Sequence, residues 1–298
     1  MDRSTENTKR VMYGWNKQDY QPSHPDIRSQ DMGISIVIPT LNHGDTIEET
    51  LLSIIQQEDT NYEIIVMDGG STDSTIDIIN KYSSYISHFE TKKDKGQSSA
   101  INEGFRFAKG EIFAWINSDD YYLPKAFKAV RVAFKENRDI DVIVGSGDVL
   151  TKNCVFLKHI QALPMERDNL LGWHNDQWIM QQSCFWKKDL WERSGGVDED
   201  LTLLMDYDLW LKFAKLGKSL AIENNLAIMR YYNEAKTVAL RNRMAEEEAY
   251  VYAKNGALEK VRTVVKELSK KNQELSTSQQ KNEAQLIYKL LRRAGVLQ

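Results

Sequence analysis

The stretch that decides the fold is Phe113–Asp120, FAWINSDD, in which an apolar run is followed, after Asn117 and Ser118, by two adjacent carboxylates. Such a run is typical of a strand buried on both faces, as strands of parallel sheets are. Ligands of these sheets bind beyond the carboxyl ends of the strands. Two neighbouring acids there repel each other unless a cation or ligand compensates. Asp119 and Asp120 are therefore candidate ligands of a divalent metal, although the pair alone fits a turn or helix cap equally well.

The composition of the sequence limits the kinds of protein that the chain can be. The chain has 298 residues, 41% of them hydrophobic, which suffices for one large α/β core with a small extension. The net charge of −4 does not favour nucleic acid as a partner. Cys154 and Cys184 lack metal-ligand spacing and suit free thiols of a reducing cytosol. No apolar run of the sequence reaches the length of a membrane span, and we expect no signal peptide. We expect a cytoplasmic protein, soluble or peripheral at the inner face of the membrane.

Strands and helices alternate before and after the central stretch. The strands predicted before it are 34–38, 62–67 and 87–90. A helix follows the first strand, where Thr46 and Glu49 have capping-box spacing. This alternation predicts an α/β fold with a mostly parallel sheet and helices on both of its faces. Because parallel strands end at one edge, Thr40, Asp68 and the Asp119–Asp120 pair should share a pocket, which favours the metal site over a turn.

The second half of the chain is less regular. It contains predicted helices from Pro124 to Phe134, 188–194 and 204–216, and predicted strands 142–149, 181–186 and 226–231. From about residue 238 glycine nearly vanishes and helical periods take over. We therefore divide the chain into an N-terminal arm, a main domain and a C-terminal helical extension: 1–31, 32–237 (with halves 32–150 and 151–237) and 238–298.

The helical extension carries two apolar patterns. An a/d-like spacing, which Asn272 interrupts, is kept by Leu258, Val261, Val265, Leu268 and Leu275. The last helix, from about Asn282, combines leucines with a basic end. Three roles stay open for these helices: peripheral binding to an anionic membrane, homo-oligomer or other partner contact, and packing on their own domain.

Several ordered motifs resemble those of the family 2 glycosyltransferases, which have a nucleotide-sugar-binding α/β fold called GT-A. The matching segments are Ser35–Asn42, Val66–Asp73, Asp94–Ser98, Ala100–Gly104, Trp115–Asp120 and, on the acceptor side, Gln181–Leu211 with Met205–Trp210. Together they cover about residues 33–237. The resemblance implies an inverting transfer of a sugar from a UDP- or other nucleoside-diphosphate sugar to a glycan or lipid-linked acceptor, in polysaccharide or glycan biosynthesis.

The resemblance also assigns roles on the donor side. Thr40 and Asp68 would hold the base and ribose, and Asp119 and Asp120 would bind Mg²⁺ or Mn²⁺ at the diphosphate. The residues that the resemblance places around the nucleotide sugar are Pro39, Thr40, Asn42, Asp68, Asp94, Lys95, Gln97, Asn117, Asp119 and Arg230.

On the acceptor side, the resemblance makes Asp206 the base that deprotonates the acceptor hydroxyl, with Asp208 in reserve. From the residues alone, Asp206 fits an acid at the N-terminus of a helix better than a base, and only the resemblance favours the base. His174, Gln182 and Trp210 are candidate acceptor contacts, but each also fits a structural role, and Trp210 a place in the core.

The chain departs from the family pattern at four positions. Asn117 stands where many members have the first Asp of Asp-x-Asp, and Gly69 replaces a second Asp after the second strand. Met205 replaces the Glu before the base, and Tyr232 falls where a His is frequent. Two alternatives therefore stay open: a metal-dependent phosphoryl-transfer enzyme, against which Asn117 argues, and an inactive sugar-binding or scaffold module.

Overall fold

The computed structural model describes residues 24–27, 32–171, 178–232 and 241–270, and the side chains of 241–243 are not included in that description. The chain divides into two compact units, Met1–Ala239 and Leu240–Gln298. Most of the predicted arm 1–31 lies outside the described residues. So does the predicted last helix from Asn282, and its three possible roles stay predictions.

The first half of the first unit alternates strands and helices as the sequence predicts. Its elements are β1 (Ile34–Thr40), α1 (Ile47–Ile55), β2 (Tyr62–Asp68), α2 (Thr75–Lys81), a 3₁₀ turn (Ser83–Tyr85), β3 (His88–Thr91), α3 (Gln97–Arg106) and β4 (Ile112–Trp115). The predicted capping box of α1 is wrong, because Thr46 makes no side-chain cap hydrogen bond. Its hydroxyl donates to the carbonyl of Ser118 instead, so a tertiary contact takes the place of a local one.

The second half mixes short strands with helices. Its elements are β5 (Tyr121–Tyr122), α4 (Ala126–Glu136), β6 (Val142–Thr151), β7 (Phe156–Ile160), α5 (Arg167–Leu171), a 3₁₀ turn (Gln181–Ser183), β8 (Cys184–Lys187), α6 (Lys188–Ser194), α7 (Met205–Leu216) and β9 (Ser219–Tyr231). Helix α4 begins two residues later than predicted, because Lys125 adopts a left-handed conformation with φ of 68°. The second unit contributes α8 (Arg241–Lys254) and α9 (258–270).

The strands form one mixed sheet in the order β3-β2-β1-β4-β8-β6-β9-β5, with β7 paired to β6. β1 is parallel to β2 and β4, β2 to β3, and β6 to β9. The other pairings are antiparallel. The prediction of a mostly parallel sheet therefore holds, with β1 to β4 all parallel and β6 parallel to β9. The second half adds antiparallel pairings, because β8 runs against both β4 and β6.

The two faces of this sheet are covered by different helices. Because successive residues of a strand point to opposite faces, Ile36 and Ala114 enter a core with α1 and α4. On the other face, Val37 meets α3 at Gly104, where an added Cβ would lie 2.6 Å from the valine. Trp115 packs there on Trp186 with ring centroids 5.4 Å apart. Burial on both faces explains the unbroken apolar character of β1 and β4.

In the described part of the chain, no helix is both long enough and apolar enough to cross a membrane.

Candidate active site

The carboxyl ends of β1, β2 and β4 meet at one edge of the sheet. Thr40 is the register partner of Asp68, and the amide of Gly69 donates to the carbonyl of Thr40 at 2.9 Å. The amide of Ile116 donates to the carbonyl of Val37 at 3.0 Å, so the segment after β4 runs beside the end of β1. The hydroxyl of Thr40 is buried and has no hydrogen-bond partner in the described part of the chain. An unsatisfied buried hydroxyl at a sheet edge is a candidate ligand contact.

The carboxylate of Asp68 accepts hydrogen bonds from its own loop and from Thr91 at the end of β3. Its carboxylate accepts hydrogen bonds from the amides of Gly70 (3.0 Å) and Ser71 (2.9 Å) and from the hydroxyls of Ser71 and Thr91 (2.6 Å for Thr91). An ionised carboxylate has about four acceptor positions, so these donors use its capacity. Asp68 therefore shapes the turn after β2, and its predicted contact with the nucleotide base would require one of these donors to be exchanged.

The loop after β1 braces the segment that carries the two acids. Asn42 adopts φ of 56° and its side-chain oxygen accepts from the amide of Thr72 at 2.8 Å. His43 Nδ1 lies 2.7 Å from the hydroxyl of Ser118, whose carbonyl accepts from the Thr46 hydroxyl at 2.9 Å. The position of Asp119, the next residue, is thus set partly by the β1–α1 loop. Pro39 itself lies inside β1, buried, rather than after it.

The start of α3 and the loop before it lie beside the same strand ends. Asp94 accepts from the amide of Gly96 at 2.9 Å, and a Cβ on Gly69 would lie 3.1 Å from the Asp94 carboxylate. The departure from Asp to Gly at position 69 therefore makes room for Asp94. Gln97 donates to the side-chain oxygen of Asn117 at 2.7 Å, which joins α3 to the segment after β4. Lys95 is exposed in this loop.

Asp120 is buried and points into the fold. Its carboxylate accepts from the amide of Arg230 (2.8 Å) and from the side chains of Gln182 (2.5 Å) and Asn117 (3.4 Å). Burial, and next the charge of Asp119, raise the pKa of the Asp120 carboxyl well above its usual value. Asp120 thus pins β9 and the Gln181–Ser183 turn to the end of β4. Its contacts do not favour the predicted role as a metal ligand.

Asp119 is the more accessible of the pair. It is partly exposed, and one carboxylate oxygen accepts from the hydroxyl of Tyr232 at 2.5 Å. The other oxygen accepts no hydrogen bond from the residues that the structure describes. Burial, and next the charge of Asp119, raise the pKa of the Tyr232 phenol, which therefore stays a hydrogen-bond donor at neutral pH.

The oxygen atoms available at the site suit a metal ion that the substrate also helps to bind. Within the described ranges, no three His, Cys, Asp or Glu side chains are grouped so that they could hold a metal ion. Mg²⁺ is usually bound through one or two carboxylates together with substrate phosphates and waters, and Mn²⁺ also prefers oxygen ligands. The available Asp119 oxygen at the strand edge fits one such protein ligand.

Asp206 lies in the first turn of α7, where one of its oxygens accepts from the amide of Tyr207 at 2.8 Å. The preceding Met205 contacts the hydroxyl of Ser98 at 2.9 Å, and Ser98 follows Gln97, which binds Asn117. These contacts link the start of α7 to the segment after β4. The local contact of Asp206 is compatible with both predicted roles, the base and the helix N-terminal acid.

Two other acceptor-side candidates belong to the interior. Asp208 is fully buried and forms an ion pair with Lys212 at 3.0 Å, so it cannot serve as the reserve base on an accessible surface. Trp210 stacks on Trp115 with centroids 5.9 Å apart and packs on Trp186. We predicted either a contact with a sugar ring or a place in the core for Trp210. The structure places Trp210 in the core, so the contact with a sugar ring is corrected.

Arg230 also differs from its prediction. Its buried guanidinium forms an ion pair with Glu49 and lies 4.9 Å from the ring centre of Tyr121, so it is not available to a diphosphate. The side chain of Gln182 donates to Asp120 and is buried, which makes it a support of the site. His174 lies outside the described residues.

The sequence did not predict three contacts that support the candidate site. They are the contact of His43 with Ser118, the ion pair of Glu49 with Arg230, and the hydrogen bond from Tyr232 to Asp119. Only the last had a signal, the unusual Tyr at a position where the family frequently has His. The others join residues too distant in sequence for any spacing rule.

Comparison with known proteins is consistent with this geometry. Residues 35–188 match the family described as Glycosyl transferase family 2. An uncharacterised glycosyltransferase of Rickettsia typhi is 31% identical over 222 residues, which cover 72% of this chain and 69% of that protein. The chain spans only 31% to 36% of the length of several other Rickettsia relatives that it matches.

Solved structures share the fold. Staphylococcus aureus TarS in complex with UDP-GlcNAc has a TM-score of 0.61 at 18% identity, covering 74% of this chain and 66% of that one. A Pyrobaculum calidifontis mannosyltransferase in complex with GDP-Man and Mn²⁺ has a TM-score of 0.56 at 17% identity, covering 84% and 72%. The α/β fold of GT-A type that the resemblance implied is thereby confirmed.

Proposed function

Because the chain belongs to glycosyl transferase family 2, we propose that it transfers a sugar from a nucleoside-diphosphate sugar to an acceptor hydroxyl with inversion at the anomeric carbon. The observation that carries this proposal is the meeting of three strand ends at one sheet edge, followed by the partly exposed Asp119. The complexes of fold neighbours with UDP-GlcNAc and GDP-Man support a nucleotide-sugar donor, UDP-linked or other. The proposed acceptor is a glycan or a lipid-linked molecule, in polysaccharide synthesis.

We assign donor recognition to the ends of β1 and β2 and to the start of α3. Thr40 offers a buried hydroxyl that can bond the base or ribose, and Asp94 offers a carboxylate beside Gly69. Asp68 acts through the turn that it organises, and Gln97 acts by holding Asn117. Buried polar groups of this kind discriminate strongly, because a ligand that leaves them unpaired forfeits their hydrogen bonds.

Asp119 is the residue that would hold Mg²⁺ or Mn²⁺, with the diphosphate supplying further ligands. When bound, the ion neutralises charge that develops on the departing nucleoside diphosphate. Asp120 supports this arrangement from the interior, since it ties β9 and Gln182 to the same segment. Tyr232 donates to Asp119 and thus orients the carboxylate from the end of β9.

Asp206 is the proposed general base. In a single displacement, its carboxylate takes the proton of the acceptor hydroxyl while the oxygen attacks the anomeric carbon, and the bond to the diphosphate breaks on the opposite side. Two features support this role: Asp206 stays partly exposed, and α7 begins beside the residues that hold Asn117. The full burial of the neighbouring Asp208 and its ion pair with Lys212 favour Asp206 over Asp208 as the base.

The experiment is a screen of nucleotide sugars by thermal shift and by release of nucleoside diphosphate, with and without Mn²⁺. A donor that binds only the native state raises the unfolding temperature, so one nucleotide sugar should stand out. Release should depend on the metal and fall away in a chelator. A binding donor without any release would indicate an inactive sugar-binding module. Activity on phosphomonoesters with no nucleotide-sugar response would contradict the proposal in favour of phosphoryl transfer.

A further inference from the structure

The hairpin of β6 and β7 exposes three consecutive large apolar residues. Val155, Phe156 and Leu157 retain 58%, 56% and 47% of their accessible surface. Isolated surface apolar residues are ordinary, whereas a contiguous exposed group indicates an interaction site. None of these three residues takes part in the proposed donor, metal or acceptor chemistry. The hairpin tip, defined as residues 152–158, therefore needs a separate explanation.

Among the described residues, the hairpin tip is exposed on both faces at Val155, Phe156 and Leu157. Successive side chains of a strand point to opposite faces, so the exposure of neighbouring Phe156 and Leu157 means that neither face is packed. A second sheet or helix would cover one face, whereas a lipid interface surrounds an inserted tip on all sides. In the described part of the chain, β7 pairs with β6 alone, and Lys158 on this edge strand opposes the addition of another strand.

The charges of the hairpin tip select the kind of membrane. Residues 151–160 contain Lys152, Lys158 and His159 and no carboxylate, in a chain with a net charge of −4. Lys158 lies 3.7 Å from the ring centre of Trp178, and His159 is paired with Asp148. Lysine and tryptophan beside apolar residues are the combination that binds the headgroup region of anionic membranes.

The hairpin tip lies on the same side of the sheet as the candidate active site. Lys152 is 3.7 Å from Asp45, in the loop after β1, and both side chains are highly exposed, so this pair is weak. At the base of the hairpin, Thr151 is the register partner of Tyr231, which precedes the Tyr232 that binds Asp119.

We propose that the hairpin tip inserts into the interface of an anionic phospholipid membrane, with Val155, Phe156 and Leu157 in the apolar layer and Lys152 and Lys158 at the headgroups. Membrane docking at this place would hold the site near the bilayer surface. That it thereby meets a lipid-linked acceptor rests on the proposed function, whereas the docking itself does not.

Co-sedimentation of the full-length chain with vesicles tests the docking. Vesicles of phosphatidylcholine with phosphatidylglycerol should bind the protein, and vesicles of phosphatidylcholine alone should bind it less. The double variant Phe156→Ser, Leu157→Ser should lower the apparent partition coefficient about tenfold, since it removes most of the inserted apolar surface. Val132→Ser, a matched control at an exposed apolar residue of α4, should bind like the wild type. Lys152→Gln with Lys158→Gln should weaken binding and reduce its salt dependence.

Three results would overturn the proposal: no vesicle binding by the wild type, equal binding by the wild type and the hairpin variant, or equal loss in the Val132→Ser control. Size-exclusion chromatography with light scattering tests a fourth result that would overturn it. If the wild type is a dimer and the hairpin variant is a monomer, the hairpin tip binds a second copy of the chain instead of a membrane. Unchanged unfolding temperatures verify that the variants fold. Nucleotide-sugar binding in solution should be the same in all of them, so a failure of docking is distinguishable from a failure of the donor proposal.

Discussion

The predicted donor-side half, residues 32–150, and the described residues of the predicted acceptor-side half, 151–237, place their polar residues differently. In the donor-side half, Thr40 and Asp68 are the last residues of parallel strands, Asp119 follows another, and all three stay at one sheet edge. In the acceptor-side half, residues that are prominent in the sequence turn inward: Trp210 stacks in the core and Arg230 pairs with Glu49. Parallel neighbours end at the same edge, whereas antiparallel neighbours end at opposite edges. Neither rule places Trp210, which lies on helix α7, or Arg230, which lies inside β9 rather than at its end. Their partners are distant in sequence, so a strand end in the sequence indicates a position in space and these residues do not.

The largest effect is expected at Asp206, the acceptor-side residue to which we assign chemistry. Asp206→Asn should leave nucleotide-sugar binding nearly intact and lower turnover by roughly 10²–10⁴, the usual contribution of a general base. Single-turnover kinetics and donor titration measure the two quantities separately. Asp189→Asn, at an exposed acid of α6, is the control and should behave like the wild type. Normal turnover in Asp206→Asn would leave this acid with the helix N-terminal role alone.

Trp210→Ala distinguishes core packing from sugar stacking. Since Trp210 lies in the aromatic cluster with Trp115 and Trp186, truncation should lower the free energy of unfolding by about 3–5 kcal/mol in a urea titration. Trp178→Ala, which removes a tryptophan that is only half-buried, should cost less. A raised KM for the acceptor with unchanged stability would return Trp210 to the acceptor site.

Asp119→Asn and Asp120→Asn separate the two neighbouring acids. Asp119→Asn should lower the Mn²⁺-dependent affinity for the nucleotide on the order of 10²-fold, because the ion loses its charged ligand. Asp120→Asn should mainly reduce stability, by about 1–3 kcal/mol, because an amide donor would face the donors of Gln182 and Asn117. Calorimetric nucleotide titrations and urea unfolding measure these effects. The reverse pattern would make Asp120 the metal ligand.

The smallest effect is expected at Tyr232. Tyr232→Phe removes the hydrogen bond to Asp119 and should change the apparent Mn²⁺ affinity by roughly two- to tenfold, the range of one hydrogen bond. Tyr231→Phe removes the same hydroxyl from the adjacent, exposed tyrosine and should have no effect. Equal Mn²⁺ affinities in both variants and the wild type would show that the contact with Asp119 does not matter for the ion.

The sequence predicted the order of elements well wherever local signals decide it. The end of α6 at Gly195, with φ of 75°, follows from the glycine itself. The predicted end of α7 at Gly217 is also observed, although Gly217 is extended there. The capping box at Thr46 and Glu49 was wrong, although its spacing is ideal. Ser118 and Arg230 offered these side chains stronger partners than the helix terminus did.

The sequence by itself determined the α/β class, the buried central strand, the family and the meeting of the ends of β1, β2 and β4 at one edge of the sheet. These follow from apolar periodicity and from motifs only a few residues long. Only the tertiary structure decided which carboxylate is available. Asp120 binds the Arg230 amide 110 residues away, Tyr232 reaches Asp119 across 113 residues, and Arg230 meets Glu49 across 181. Hydrogen-bond saturation of a buried acid depends on such distant partners, because burial removes the water that would otherwise satisfy it.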